Sequence, residues 1–321
     1  MYNVVMMNKP KIQNRSTKGD ETVREIPLAC ADEKAAVEFL ENKRWGNTPS
    51  CPHCGSVSVY QMKDSKTGER QANFRWRCHD CKEQYTVRIG TVFEDSRIEF
   101  RHWCYAFWRA ATSKKGVSAL EIHRQTGLSY KSALFMLHRI RFAMADSGPA
   151  PLKGDVEIDE TFVGGKPRYR SKKRGPRGTK TPVLAMVERK GSVKTLVNAK
   201  NLRQVILNNV DLTSRVITDE HNPYKALGKH FVGGHHTVNH SEREYVRGDI
   251  HSNTVEGFFS IVKRGLNGIY HNVSKKHLHR YMAEYEFRYN NRELEDGERT
   301  TAAIKSAEGK RLQYKESKDI Q

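Results

Sequence analysis

Two tight cysteine pairs, Cys51-Pro52-His53-Cys54 and Cys78-His79-Asp80-Cys81, constrain the fold of this chain more than any other feature. A Cys-x-x-Cys turn aims two thiolates at one point, and two such turns close a tetrahedral site for a structural Zn2+. A dithiol redox centre needs only one pair, and the spacing is not that of a disulfide framework. Cys51, Cys54, Cys78 and Cys81 are therefore the expected ligands. His53 and His79 are able to replace a thiolate but read more simply as turn residues pointing outward. Four protein ligands leave no position open for water or substrate, so this module is a scaffold and any chemistry lies elsewhere.

At 321 residues the chain is longer than one ordinary domain. Residues 1–30 read as a polar tail, and 31–92 as a short helix followed by the cysteine module, whose Phe74 and Trp76 alternate as in a strand. Residues 93–150 read as helical. There Trp103, Phe107 and Trp108 share a face, which makes Cys104 a core residue rather than a ligand. Ser118 with Glu121 reads as a capping box, Gly127 as a turn, and Ser129 as the start of a helix toward Ala145. On that helix Ala133, Leu137, Ile140 and Met144 face inward, while Lys131, His138, Arg139 and Arg141 carry donors, the pattern of a DNA-reading helix-turn-helix. The breakers Ser147-Gly148-Pro149-Ala150-Pro151 mark the main boundary. Beyond it, strand-like runs at 156–163, 182–188, 193–198, 215–218 and 236–239 mix with helical runs at 202–208, 254–266 and 276–289, giving an α/β domain over 151–293. Residues 294–321 read as a docked or partly disordered tail.

Lys and Arg number 56 against 37 Asp and Glu, a net charge of +19, which makes a polyanion the expected partner through counterion release from phosphates. The positive charge is blocked rather than scattered. Lys166, Arg168, Arg170, Lys172, Lys173, Arg174, Arg177 and Lys180 form an acid-free loop suited to clamping phosphate. Arg280, Arg288 and Arg292, interleaved with Tyr285 and Tyr289, either contact phosphate or pack by their stems. His235, His236 and His240 read as structural or phosphate-contacting, since no carboxylate lies at ligand spacing. No apolar run approaches the roughly 18 residues of a membrane span, so no membrane is expected and the expected compartment is the cytoplasm.

Against this background two strand-like runs end in acids: Val156-Glu157-Ile158-Asp159 and Val216-Ile217-Thr218-Asp219. Acids repel phosphate unless a divalent cation intervenes. A third acid lies in a helical run where Val255, Phe258, Phe259 and Val262 make the buried stripe, and Glu256 and Lys263 stack along one edge of it. Gly257, costly in a helix, permits close backbone approach there.

The acids after VEI and VIT, the run HSNTVEGFFSIVKRGLNGIYHNVSKKHLHRYMAEYEFRYNNR at 251–292 and the cysteine module together resemble the ISXO-like group of bacterial insertion-sequence transposases, over residues 31–292. The resemblance implies a ribonuclease-H-like catalytic domain, which joins the N-terminal zinc ribbon and the helix-turn-helix-like module read above from the residues themselves. It implies Asp159, Asp219 and Glu256 as ligands of catalytic Mg2+ (or Mn2+), with Lys263 beside them. Relatives differ in using Asn or Glu as the third ligand, and both Asn253 and Glu256 are present; Glu256 is preferred because a carboxylate binds a hard cation better than an amide. Glu157, Glu160 and Glu220 are rival acids, expected to support the ligands or form salt bridges. The implied activity is cleavage of insertion-sequence ends and joining of their 3′ hydroxyls to double-stranded target DNA, in a bacterial, nucleoid-associated protein acting as a homodimer. The alternatives are a zinc-ribbon and helix-turn-helix regulator without chemistry, and a nuclease that cuts without joining.

Overall fold

In this computed structural model the described residues are 20–145, 150–164, 180–220, 224, 227–238 and 246–313. The chain enters through two helices, α1 (Glu21–Ala31) and α2 (Glu33–Trp45). Helix thus begins at Glu21, inside the stretch expected to be tail, because Asp20 and Asp32 each cap a first turn by accepting a backbone N–H, from Val23 and from Ala35. Next come three short antiparallel strands, β1 (Val59–Gln61), β2 (Trp76–Cys78) and β3 (Gln84–Tyr85). Trp76 docks this ribbon on α2: its ring meets Trp45 edge-on at 5.7 Å and its Nε1 donates to Glu41 Oε1 at 2.8 Å. Arg70 grips the same carboxylate with both terminal nitrogens.

Three helices follow: α3 (Phe100–Thr112), α4 (Ala119–Thr126) and α5 (Tyr130–Met144). Trp103, Cys104 and Phe107 are fully buried, in a core that α1 and α2 share with α3 to α5. Ser118 accepts from Glu121 N as a cap should, but the Glu121 side chain pairs with Arg109 at 2.6 Å, so the reciprocal half of the expected capping box goes to a neighbouring helix. The inner stripe of α5 is buried as expected. So, against expectation, are three of its donors, His138, Arg139 and Arg141, at 7, 6 and 1% exposure. The physical reason is that α5 is covered on more than one side, by α3 and α4 and by a later helix, α8 (Leu278–Asn290). Arg139 spends its Nη1 on the carbonyls of Val92 and Glu94, and Lys131 alone of the three basic residues proposed to read DNA on α5 is exposed.

The second half is built on five strands: β4 (Asp155–Val163), β5 (Thr181–Glu188), β6 (Val193–Val197), β7 (Arg215–Asp219) and β8 (His235–Val238), in the order β6-β5-β4-β7-β8. β4, β5 and β6 pair antiparallel, whereas β7 and β8 join β4 in parallel. Alternation divides the sheet. Val156, Ile158, Leu184, Met186 and Val216 pack on the face covered by α6 (Leu202–Asn209), while Val183, Ala185 and Val187 pack on the face covered by α7 (Asn253–Gly265) and α8. A hairpin of β9 (Val246–Arg247) and β10 (Ile250–His251) leads into α7. The observed ends of these strands and helices lie within a residue or two of those expected from periodicity. The last helix, α9 (Asp296–Lys305), packs on α1, α2 and α3, so the described part of the C-terminal segment is docked. Arg280 and Arg288 of α8 are buried rather than phosphate-facing.

Candidate functional site

Period-2 geometry puts Glu157 and Asp159 on the same side of β4, the side facing α7, because Val156 and Ile158 occupy the other. In the parallel pair, Glu157 lies beside Ile217 and Ile158 beside Thr218. One step further the register sets Asp159 next to Asp219, where β7 stops and β4 continues with β5 alone. The two acids thus stand at the end of a strand pair, next to the first turn of α7.

Glu157 fixes how that turn is placed. The residue preceding α7, Ser252, makes no side-chain cap bond to the helix backbone. The cap comes from the sheet: Glu157, with no exposed surface, accepts from Thr254 N at 2.7 Å, Val255 N at 3.0 Å and Thr254 Oγ1 at 2.9 Å, and pairs with Arg189 at 2.7 Å. A carboxylate at a helix N-terminus also meets the positive end of the helix dipole. Ser252 turns its hydroxyl to Glu256 Oε1 at 2.6 Å instead, fixing that carboxylate.

The result is a cavity of about 730 Å3 lined by Asp159, Asp219, Glu256 and Lys263, with Ser252, Phe259, Ser260 and Arg264 completing the wall. Glu256 and Lys263 lie on one helix edge as their spacing predicts; Asn253 is exposed and not part of the lining. Burial pushes the Asp159 carboxyl up to about 6; the Glu160 N–H works against this, the charges of Asp219 and Glu256 add to it, and Lys263 opposes them. Acids, a lysine and an arginine therefore share one field. Of the rival acids, Glu160 accepts from the buried Tyr224 hydroxyl at 3.1 Å, Glu157 is the cap, and Glu220 is exposed beyond β7. His235 meets Thr218 Oγ1 at 2.9 Å, a structural role, while His240 lies outside the described residues. Lys166, Arg168, Arg170, Lys172, Lys173, Arg174 and Arg177 also lie outside them; Lys180 is exposed at the edge of the sheet.

Sequence reasoning did not single out Ser252 or Arg264. The signal for Ser252 was available: a hydroxyl four residues before an acid at a helix start sits within reach of it. Arg264 carries no such mark, because its position on the cavity wall depends on how α7 lies over the sheet.

In the cysteine ribbon the sulfurs of Cys51, Cys54, Cys78 and Cys81 all lie within 4.8 Å of one another. The Cys51–Cys81 and Cys54–Cys78 sulfur separations are both 3.6 Å. Thiolates about 2.3 Å from a tetrahedral Zn2+ would stand roughly 3.8 Å apart, so the cluster fits that ion. Among the described residues it is the group whose ligand atoms already converge; the three carboxylates border a wider space.

A cysteine ribbon precedes an acid-bearing α/β sheet, and both parts are similar to domains of transposases. Residues 31–84 match the transposase zinc-ribbon domain and residues 151–290 the ISXO2-like transposase domain. A Halobacterium salinarum protein described as an uncharacterized protein in transposable element ISH50 is 31% identical over 278 residues, 80% of this chain and 90% of that relative. The chain belongs to the ISXO2-like transposase family. Among the described residues no helix is long and apolar enough to cross a membrane.

Proposed function

We propose that the protein is a DNA transposase that cleaves insertion-sequence ends and joins the freed 3′ hydroxyls to target DNA, with Asp159, Asp219 and Glu256 holding Mg2+ or Mn2+. The observation that carries this reading is the cavity where those three carboxylates meet Lys263. Three hard oxygen donors suit a hard divalent cation, and the upward push on the Asp159 carboxyl is in part the mutual repulsion that such a cation relieves. Bound there, the cation supplies an activated water and stabilisation of the leaving 3′ oxygen. Lys263 and Arg264, on the wall beside the acids, hold the scissile phosphate without competing for the metal. Ser252 keeps Glu256 oriented, and Glu157 keeps α7 seated on β4. In cleavage, water attacks phosphorus and the 3′ oxygen leaves; in joining, that 3′ hydroxyl is the nucleophile and a target 3′ oxygen leaves.

A ribonuclease-H-like assignment of residues 151–293 is supported by the mixed five-stranded sheet with Asp159 on its first strand, Asp219 ending a later one and Glu256 on the following helix. Structural Zn2+ at the four cysteines is supported by their sulfur spacing. The basic loop after β4 is assigned to phosphate clamping and Lys131 to DNA contact, on charge and exposure. Homodimerisation is expected because two element ends must be joined.

The test is incubation of the purified protein with Mg2+ and the DNA flanking its gene, with products mapped to the base. Nicks at the element ends and joined 3′ ends are expected, lost by at least a hundredfold in Asp159→Asn, Asp219→Asn or Glu256→Gln. Cleavage without joined product would identify a nuclease, specific binding without cleavage a regulator, and either would overturn the proposal.

A further inference from the structure

The edge of α7 that carries Glu256 does not stop at the cavity of the three acids. Glu256, Ser260, Lys263 and Asn267 follow one another at steps of four, three and four residues, which places them along one edge of a helix. The first three line the cavity of the acids. Asn267, in the π-helical turn Leu266–Tyr270 that continues α7, lines another cavity, of about 340 Å3. The same progression runs along β4: Asp159 borders the first cavity, and Val163, four residues on and on the same face, borders the second. The two cavities therefore succeed one another along the junction of α7 with β4.

Their chemistry is opposite. The first needs a cation before a phosphate can enter, whereas no acid lines the second. Asn267, His271, Asn272, Ser274 and Lys275 make one bank of it, with amide, imidazole, hydroxyl and ammonium groups. Val163 and Thr181, paired across β4 and β5, belong to the other. The chain between them in sequence carries the acid-free basic run, so that run begins and ends at this bank. Positive charge and hydrogen-bond donors without a carboxylate are what a phosphodiester takes from a protein. The first bank also contains a costly turn. His271 stands at φ +54° and ψ −46°, and Asn272 N donates back to Tyr270 O, a three-residue turn of the rare, strained kind. Glycine would adopt it without that strain, and His271 is exposed, so core packing does not account for an imidazole here.

We infer that the second cavity seats the sugar-phosphate backbone of the DNA strand running out from the scissile phosphate, with Asn267, His271 and Lys275 as its contacts. The inference rests on DNA being the substrate. Asn267 lies about 16 Å along the helix axis from Glu256, or roughly five nucleotide steps of about 3.4 Å, so the groove would hold the strand in register with the acids.

The experiment titrates a fluorescein-labelled duplex from the DNA flanking the gene with the full chain, without Mg2+ or Mn2+, and follows anisotropy across a series of KCl concentrations. Asn267, His271 and Lys275 are exposed, so substitutions there should keep the fold. Lys275→Glu should weaken binding roughly fivefold beyond the loss in Lys305→Glu, which reverses an exposed charge on α9, and should lower the salt slope by about one more. Asn267→Asp should weaken binding by a similar factor, while Asn267→Gln stays within about twofold of the parent. His271→Gly, which suits the positive φ, should weaken binding without lowering the melting point. A loss no greater at Lys275 than at Lys305, or parental affinity in both Asn267→Asp and His271→Gly, would overturn the inference and leave the cleavage proposal standing. A parent that bound no DNA would overturn both.

Discussion

Asp159 and Glu157 are two residues apart on one face of one strand, and their environments set them to opposite tasks. Glu157 is surrounded by donors, whereas Asp159 faces other acids across a cavity. The Asp159 carboxyl stands at about 6 against an ordinary 3.8, so the folded state holds its proton more tightly than the unfolded state does. Its contribution is therefore favourable at low pH, is lost as the pH rises from about 4 through 6, and above that leaves a deficit of about 2–3 kcal/mol. In metal-free protein at pH 8, Asp159→Asn should melt roughly 5 °C higher than the parent, with the difference vanishing near pH 4 in thermal scans. Mg2+ should raise the melting point of the parent and do little for the variant. A variant less stable than the parent at pH 8 would show that burial and the neighbouring acids do not penalise the charged form of Asp159. Both acids were visible in the sequence, but strand periodicity alone gives them the same side and cannot say which one meets a helix terminus.

At the scale of elements, α7 joins the candidate site to the sheet. Its apolar stripe and its length were legible because a 3.6-residue period survives in any sequence window. Its cap was not, since the capping residue arrives from β4, 97 positions earlier than Thr254. Removing that charge should loosen the join. Glu157→Gln retains the size of the side chain but places an amide donor against Thr254 N, Val255 N or Arg189, so it should destabilise the protein by about 2–4 kcal/mol. In the same thermal scans, Glu157→Gln should lower the melting point where Asp159→Asn raises it. If both substitutions shifted it the same way, the division of labour between these acids would be wrong. Helix α5 shows the converse error of sequence reading. Its inward stripe was read correctly, but a helix covered on several sides has no free polar face, and Arg139 and Arg141 are turned to protein acceptors.

Over the whole molecule, the helical half and the sheet half are tied by a buried ionic cluster. Glu284 of α8 accepts from Arg141 Nε of α5 at 2.6 Å, from the Tyr270 hydroxyl at 2.8 Å and from Arg288, which also donates to Ala110 O at the end of α3. Burial works against the charged form of Glu284, and the two guanidinium groups outweigh it, holding the carboxyl below its usual range. Its stabilising contribution is thus present above the ordinary glutamate range and is lost as the pH falls through the lowered folded value. Glu284→Gln leaves two buried arginines without their counter-charge and should cost about 3–5 kcal/mol at pH 7 by chemical denaturation. Its unfolding should also separate into two steps as the halves lose their tie; a single transition with unchanged midpoint would refute this role. By itself the sequence determined the metal-binding spacing of the cysteines, the helix and strand periods, the net positive charge and the acids to examine, because each is a property of near neighbours or of the sum of residues. Only the tertiary structure decided that Asp159, Asp219, Glu256 and Lys263 border one cavity, that Glu157 caps α7, and that Arg141 is buried against Glu284. Those outcomes depend on strand register and helix packing between residues far apart in the chain, where burial and the local field, not residue type, fix what a charged side chain does.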